Sequence, residues 1–306
     1  MFLFSILYLF LVNLLAYVCY GADKSKAKQG KRRISERCLI FLAFLGGGLG
    51  AWCAMRRFRH KTLHAKFRIL VPVAFFLWLL PSLDILTVFA TQRGTIFFTP
   101  LMLRRAVEAH SDKDAKHPYN RHFQWVPYSD ISPTLTRAVI ASEDNLFASH
   151  HGFSERGIRQ ALAERLEKGH VKHGGSTISQ QTAKNVFTFG SRSVLRKLRE
   201  AWLTVLIEQM WGKQRIMEVY LNVIEMGNGI YGAEAASRQY FHHSAGRLSS
   251  SESALLAACL PSPRKYSVTH PGPYMRKRQS QILNLMPKMG KIILSSPDKS
   301  PNMSIG

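Results

Sequence analysis

The residues with the most chemical promise in this 306-residue chain are a few carboxylates and the cations spaced between them. Glu143 and Asp144 close an apolar run in ASEDNLFASHHGF (141–153), where a carboxylate that sheds hydration becomes a better proton acceptor. A helix ending in water explains that pair equally simply when it is taken alone. Glu200 lies in RKLRE with Arg196 one turn before it, the spacing of an intrahelical ion pair contributing about 0.2–0.5 kcal/mol. Between these carboxylates runs GGSTISQQTAKNVF (174–187). Its glycines allow close backbone approach, Ser176 or Thr177 can cap the helix that follows, and N–H groups at a helix start attract an anion. Lys184 and Arg192 add positive charge, but the spacing is not that of a nucleotide-hydrolysing phosphate loop. Proton-transferring carboxylates that bracket phosphate ligands point to group transfer from a phosphate leaving group.

The elements that must position these groups read as helices. SPTLTRAVIASED predicts one with Ser132 as N-cap and Pro133 in its first turn. ERGIRQALAERLEKG (155–169) places Ile158, Leu162 and Leu166 at four-residue spacing. The run 193–224 sets Leu198, Trp202, Val205 and Leu206 on one face and breaks near Gly212. LSSSESALLAACLPSP (248–263) predicts a buried helix capped by Ser249 or Ser251, with Cys259 as a small core residue. Residues 94–126 read as a connector or an irregular subdomain, and the tail from about Ile292, rich in Ser and Pro, as disordered. No run alternates as strands do, so the later domain is expected to be mostly α with room for a short hairpin. The four cysteines form neither a disulfide framework nor a CxxC metal site.

Three apolar stretches, 1–22, 38–55 and 69–90, mark residues 1–92 as a membrane region. The first lacks a basic start and a cleavage site and reads as an anchor. DKSKAKQGKRRISER and RRFRHKTLHAKFR separate the three, and three crossings would put these basic segments on opposite sides, against the tendency of basic loops to stay cytoplasmic. Either the glycine-rich middle stretch, LGGGLGAW, is re-entrant, or the first basic loop lies outside. Both solutions export everything after Thr91. The net charge of +23 calls for a polyanionic partner, and its clustering at membrane edges, without aromatic-interleaved basic motifs, favours lipid head groups over nucleic acid. Residues 10–80 also resemble a family of small bacterial membrane proteins of unknown function, through RISE (33–36), GGGLGA (46–51) and FRHKT (58–62). That resemblance implies no chemistry.

Five motifs in order, EDNLFASHHG (143–152), GGSTISQQTAKN (174–185), RKLRE (196–200), KQRIMEVYLN (213–222) and GIYGAEAASRQYF (229–241), resemble the peptidoglycan glycosyltransferases of family fifty-one. Among these they look most like the monofunctional transglycosylases, since no penicillin-binding domain is seen behind them. The resemblance implies a lysozyme-like, two-lobed helical domain over about 93–290, preceded by two or three transmembrane helices. It implies lipid II and the growing glycan strand as substrates, with membrane lipids and other cell-wall synthesis or division proteins as partners, and no nucleic acid. It places the enzyme in the bacterial inner membrane, with the catalytic domain on the periplasmic side. Carried over by motif, Glu143 is the base that deprotonates the acceptor hydroxyl, with Asp144 beside it. Phe147 and His150 shape the cleft, while Thr177, Gln181, Lys184 and Arg192 hold the donor diphosphate. Glu200, with Arg196, is the second essential carboxylate, across a gap from Glu143. No cofactor is required; a divalent cation, Mg or Mn, bridging Glu200 and the diphosphate is compatible with the pattern. FTFGSRSVLRK departs from the family's usual LWPGRSWxRK and keeps Arg192. The rival readings are a lytic glycosidase, which needs no phosphate ligands, and a non-catalytic membrane scaffold.

Overall fold

The computed structural model describes residues 2–111, 119–155, 157, 159, 175–190 and 193–295. Arg192 and most of the predicted helix 155–169 lie outside the described residues. The chain divides into two compact units, Met1–Thr87 and Val88–Gly306.

In the first unit α1 (Phe2–Lys28) packs against a helical hairpin and α4 (Ala65–Ala90). The hairpin is the middle apolar stretch: α2 (Glu36–Leu42) leads into a wide turn at Ala43–Gly47, and α3 (Gly48–Arg57) leads back. By length and composition Glu36–Arg57 could cross a membrane, as could Ala65–Ala90. Within this unit the hydrogen bonds show that the chain reverses midway along Glu36–Arg57. At one end Asp23 of α1 meets Ile34 N (2.8 Å) and His60 Nε2 (2.8 Å), and Glu36 meets Lys61 Nζ (2.7 Å). At the other end Tyr8 Oη donates to Leu45 O (2.8 Å) and Trp78 Nε1 to Phe44 O (2.8 Å). Both basic segments therefore sit at the same end of this unit.

The turn is made by Gly46, whose φ of 113° suits only glycine. Reversing there strips the helix of its internal bonds, and Asn13 replaces them. Its Nδ2 donates to Gly46 O (2.8 Å) and Leu9 O (2.7 Å), and its Oδ1 accepts from Gly50 N (2.8 Å). A Cβ on Gly50 would collide with the Asn13 backbone, so the glycine run lets α1 and α3 touch main chain to main chain.

In the second unit α5 (Pro100–Ser111) occupies the segment read as a connector. The miss has a physical reason: five of its twelve residues are exposed and its apolar face is short, with Leu101 and Met102 buried. A Thr-Pro start, with Thr99 Oγ1 accepting from Met102 N (3.2 Å), was the available signal. α6 (Pro133–Glu143) begins at Ser132 as expected, although the Ser132 hydroxyl donates to Leu248 O (2.9 Å) instead of capping. α7 (Ile178–Phe187), α8 (Val194–Met210) and α9 (Gly212–Val223) follow, the break between the last two falling at Gly212, with φ 73°. A small sheet of order β1-β3-β2 pairs β1 (His122–Phe123) in parallel with β3 (Ile230–Tyr231), which forms a hairpin with β2 (Glu225–Gly227). α10 (Ala233–Phe241), α11 (Ser250–Cys259) and α12 (Pro273–Leu285) complete the described unit. Ser249 caps α11 reciprocally with Glu252, and Cys259 is fully buried.

Two features here go beyond what the sequence showed. Leu198 (63% exposed) and Trp202 (39%) of α8 face outward with Phe189, Val194 and Leu195, because the buried face of that helix is Glu200, Leu203, Thr204, Leu206 and Ile207. The described part of the tail is also held: Ser295 O accepts from Gln214 N (3.0 Å) and Ser295 Oγ from Lys213 N (3.3 Å), satisfying N–H groups at the start of α9. Residues 296–306 lie outside the described residues.

Candidate active site

The site is organised around α7. Its start is a capping box, in which the Thr177 hydroxyl accepts from Gln180 N (3.1 Å) and Thr177 N donates to Gln180 Oε1 (3.0 Å). The Thr177 hydroxyl also donates to Gly152 O (2.6 Å). Ile178 N donates to Asp144 Oδ2 (3.0 Å), so the anion expected at this helix start is a side chain of the protein itself. The Thr177 hydroxyl thus has its donor and one acceptor lone pair engaged within the protein.

Asp144 is buried, and His150 Nε2 lies 2.9–3.0 Å from its two oxygens. Gly152 N donates to His150 Nδ1 (3.1 Å), which makes Nδ1 the acceptor and assigns the proton to Nε2, facing Asp144. Phe147 is fully buried with the Lys213 ammonium 4.5 Å from its ring centre. Phe147 and His150 therefore support the turn from inside, through packing on the Lys213 side that the local motif could not show.

Glu143 ends α6 and is partly exposed. Gln181 Nε2 donates to its Oε2 (3.0 Å), and Gln181 Oε1 accepts from Tyr220 Oη (3.3 Å). Burial first, then the negative charges of Glu143 and Asp144, push the Tyr220 phenol well above its ordinary range, so it remains a donor. The chain Tyr220–Gln181–Glu143 fixes which end of the Gln181 amide faces the carboxylate. Gln181 is a partner of Glu143 here, an arrangement that depends on α9 delivering Tyr220 beneath it.

Three residues beyond Gln181, and so on the same side of the helix about 5 Å along its axis, Lys184 enters a second feature. This is a pocket of about 220 Å³ lined by Leu101, Arg104, Lys184, Asn185, Thr188, Gly190 and Arg196. Glu200, buried beside it, forms an ion pair with Arg196, stands 3.4 Å from Lys197 Nζ and accepts from Thr188 Oγ1 (3.5 Å). Loss of hydration lowers the Lys184 ammonium below its ordinary value of 10.5, Glu200 pulls it back, and Lys197, Arg104 and Arg196 lower it further. The lysine opens to solvent on one side, so its charge is crowded by protein but reachable by an incoming anion. Arg104, Asn185 and Thr188 escaped the sequence reading, Arg104 because it comes from the unrecognised α5.

A transglycosylase family model matches residues 111–287, more than half of the chain. The chain belongs to the transglycosylase family. Proteins named biosynthetic peptidoglycan transglycosylase are similar to it. That of Caulobacter vibrioides is 53% identical over 184 residues, 60% of this chain and 76% of the relative. That of Bacteroides thetaiotaomicron is 48% identical over 218 residues, 70% and 86% respectively. That of Aeromonas hydrophila is 47% identical over 199 residues, 65% and 84%. A second model, described as a protein of unknown function (DUF1294), matches residues 13–67 of this transglycosylase, the segment from Asn13 through the hairpin to Phe67.

Proposed function

We propose that this transglycosylase polymerises lipid II, with the growing strand's lipid diphosphate as donor and a second lipid II as acceptor. The observation that carries the reading is that one face of α7 joins a carboxylate to a cationic pocket: Gln181 holds Glu143, and one turn on, Lys184 opens into the space shared with Arg104 and Arg196. Glu143 takes the proton of the acceptor's 4-hydroxyl as its oxygen attacks the anomeric carbon. The bond from that carbon to the diphosphate oxygen breaks on the opposite face, with inversion, and the electron pair leaves with the diphosphate. Charge grows on the leaving group, so fixed cations there lower the barrier most. Glu200 holds Arg196 in place beside that group. A glycosidase would not need the cationic pocket, and a scaffold would not need the aligned Glu143.

The described residues around Glu200 are a threonine and cations, a set that does not fit a resident metal. A divalent cation such as Mg or Mn would have to arrive with the diphosphate oxygens, and no step here uses one.

For the membrane, we infer that α1 and α4 cross while the α2–α3 hairpin enters and returns. Asp23, Glu36, His60 and Lys61 meet at one end, which carries both basic segments and is therefore cytoplasmic. α4 then delivers the chain after Ala90 to the periplasmic side. Phe189, Val194, Leu195, Leu198 and Trp202, apolar and exposed, suit contact with the lipid surface from which the substrate is drawn. Glu143→Gln tests the catalytic reading. Lipid II polymerisation in detergent should fall by about 10²- to 10⁴-fold with the melting temperature unchanged. Substantial residual polymerisation would remove Glu143 from the role of base.

A further inference from the structure

The most informative side chain outside the recognised motifs is Arg104. It belongs to α5, which precedes all but the first residue of the 111–287 family match, and yet it lines the same pocket as Lys184 and Arg196. Its neighbour Arg105 is used structurally, with Nε donating to Glu225 Oε2 (2.9 Å) and Nη1 to Glu108 Oε2 (2.7 Å). Arg104 is not. Its Nε is buried without a hydrogen bond among the described residues, and Glu108 Oε1 stands 3.4 Å away without donor alignment. The guanidinium lies against Gly190, where an added Cβ would overlap Nη1 and Cζ. The glycine thus leaves the room that Arg104 occupies at the pocket wall. A planar guanidinium with unspent donors, beside two other cations in a space of about 220 Å³, is suited to bidentate contact with a phosphate.

We propose that Arg104 is an additional anion-binding residue of this transglycosylase, supplied from α5, that contacts the diphosphate leaving group in the Lys184 pocket. This rests on the proposed function for the identity of the diphosphate, but the anion contact itself is separable from it. Inorganic pyrophosphate is therefore the first probe, titrated calorimetrically into the full chain in detergent. Arg104→Ala should weaken its binding roughly 10- to 100-fold, the range for a lost charged hydrogen bond, with an unchanged circular dichroism spectrum. Arg104→Lys should recover part of the loss, because it restores charge without the fork.

Gly190→Ala gives a second route that leaves the charge in the protein. The new methyl displaces the guanidinium, so binding falls comparably, and Arg104→Ala/Gly190→Ala should be no weaker than Arg104→Ala alone. Arg137→Ala, on an exposed surface away from the pocket, serves as the control and should bind as wild type does. Wild-type affinity in Arg104→Ala, or an additive loss in the double variant, overturns the proposal. Polymerisation of lipid II by the wild-type chain is measured beside these titrations. Its absence would count against the proposed function, while the pyrophosphate series would still decide the role of Arg104.

Discussion

Lys184→Met should make the ligand-free protein more stable while removing most of its activity. The substitution keeps a flexible stem of similar length and deletes the ammonium. In the structure that ammonium shares its pocket with Arg104 and Arg196, and Lys197 is close. Glu200, the carboxylate that favours its charge, is already engaged by Arg196 and Lys197. The folded state therefore lowers the lysine below 10.5, first through lost hydration. Below the folded value the lysine is charged in both states and the cost of crowding it is fully present. As pH rises through the lowered value the folded protein sheds the proton first, and the cost is relieved. Substitutions that release such functional strain commonly add about 0.5–2 kcal/mol, and the partial solvent exposure of Lys184 places the gain in the lower half of that range. At about 2–4 °C per kcal/mol for a unit of this size, the melting temperature should rise by about 1–5 °C. Scanning fluorimetry of the full chain in detergent at pH 7 and low salt measures this. The advantage over wild type should shrink in about 1 M salt, where the screening length falls to about 3 Å, and also towards alkaline pH. Polymerisation of lipid II should drop by about 10²- to 10³-fold, the usual effect of losing one fixed donor to a developing charge. A variant that melts at or below the wild-type temperature at low salt would refute the reasoning, because the pocket would then hold no unrelieved repulsion for a diphosphate to discharge.

Tyr220→Phe frees the Gln181 amide to turn away from Glu143; kcat for lipid II should fall by up to about tenfold with KM little changed, since one neutral hydrogen bond is lost. Asn13→Leu leaves Gly46 O and Gly50 N unpaired inside the first unit, at about 1–3 kcal/mol each, and should expose the hairpin to proteolysis in detergent at lower temperature than wild type. Reporter fusions after Glu36, Lys66 and Arg93 should report cytoplasm, cytoplasm and periplasm; a periplasmic signal after Glu36 would contradict the re-entrant hairpin.

Much of the framework was legible in the chain because helix starts are local events. Ser132–Pro133, Thr177 with Gln180, Ser249 with Glu252 and the break at Gly212 all involve residues within a few positions of one another, and the structure has a helix boundary at each. The family too was legible, since its motifs keep their residue types and order along the chain. α5 was harder to read, because a short amphipathic helix with a two-residue buried face has little periodicity to detect.

What the polar groups do was decided by tertiary structure, since a hydroxyl, amide or carboxylate takes whichever partner folding brings within about 3 Å. The family resemblance nominated Thr177 and Gln181 as phosphate ligands. Gly152 and the capping box claimed the first, while Glu143 and Tyr220 claimed the second. Of that described set Lys184 lines the cationic pocket, joined by Arg104 from 80 residues earlier in the chain. The membrane region shows the same division. Composition marked three apolar stretches, but only the contacts of Asp23 with His60 and of Asn13 with Gly46 and Gly50 show that the middle one turns back, because hydropathy measures the preference of a segment for lipid and carries no information about its direction.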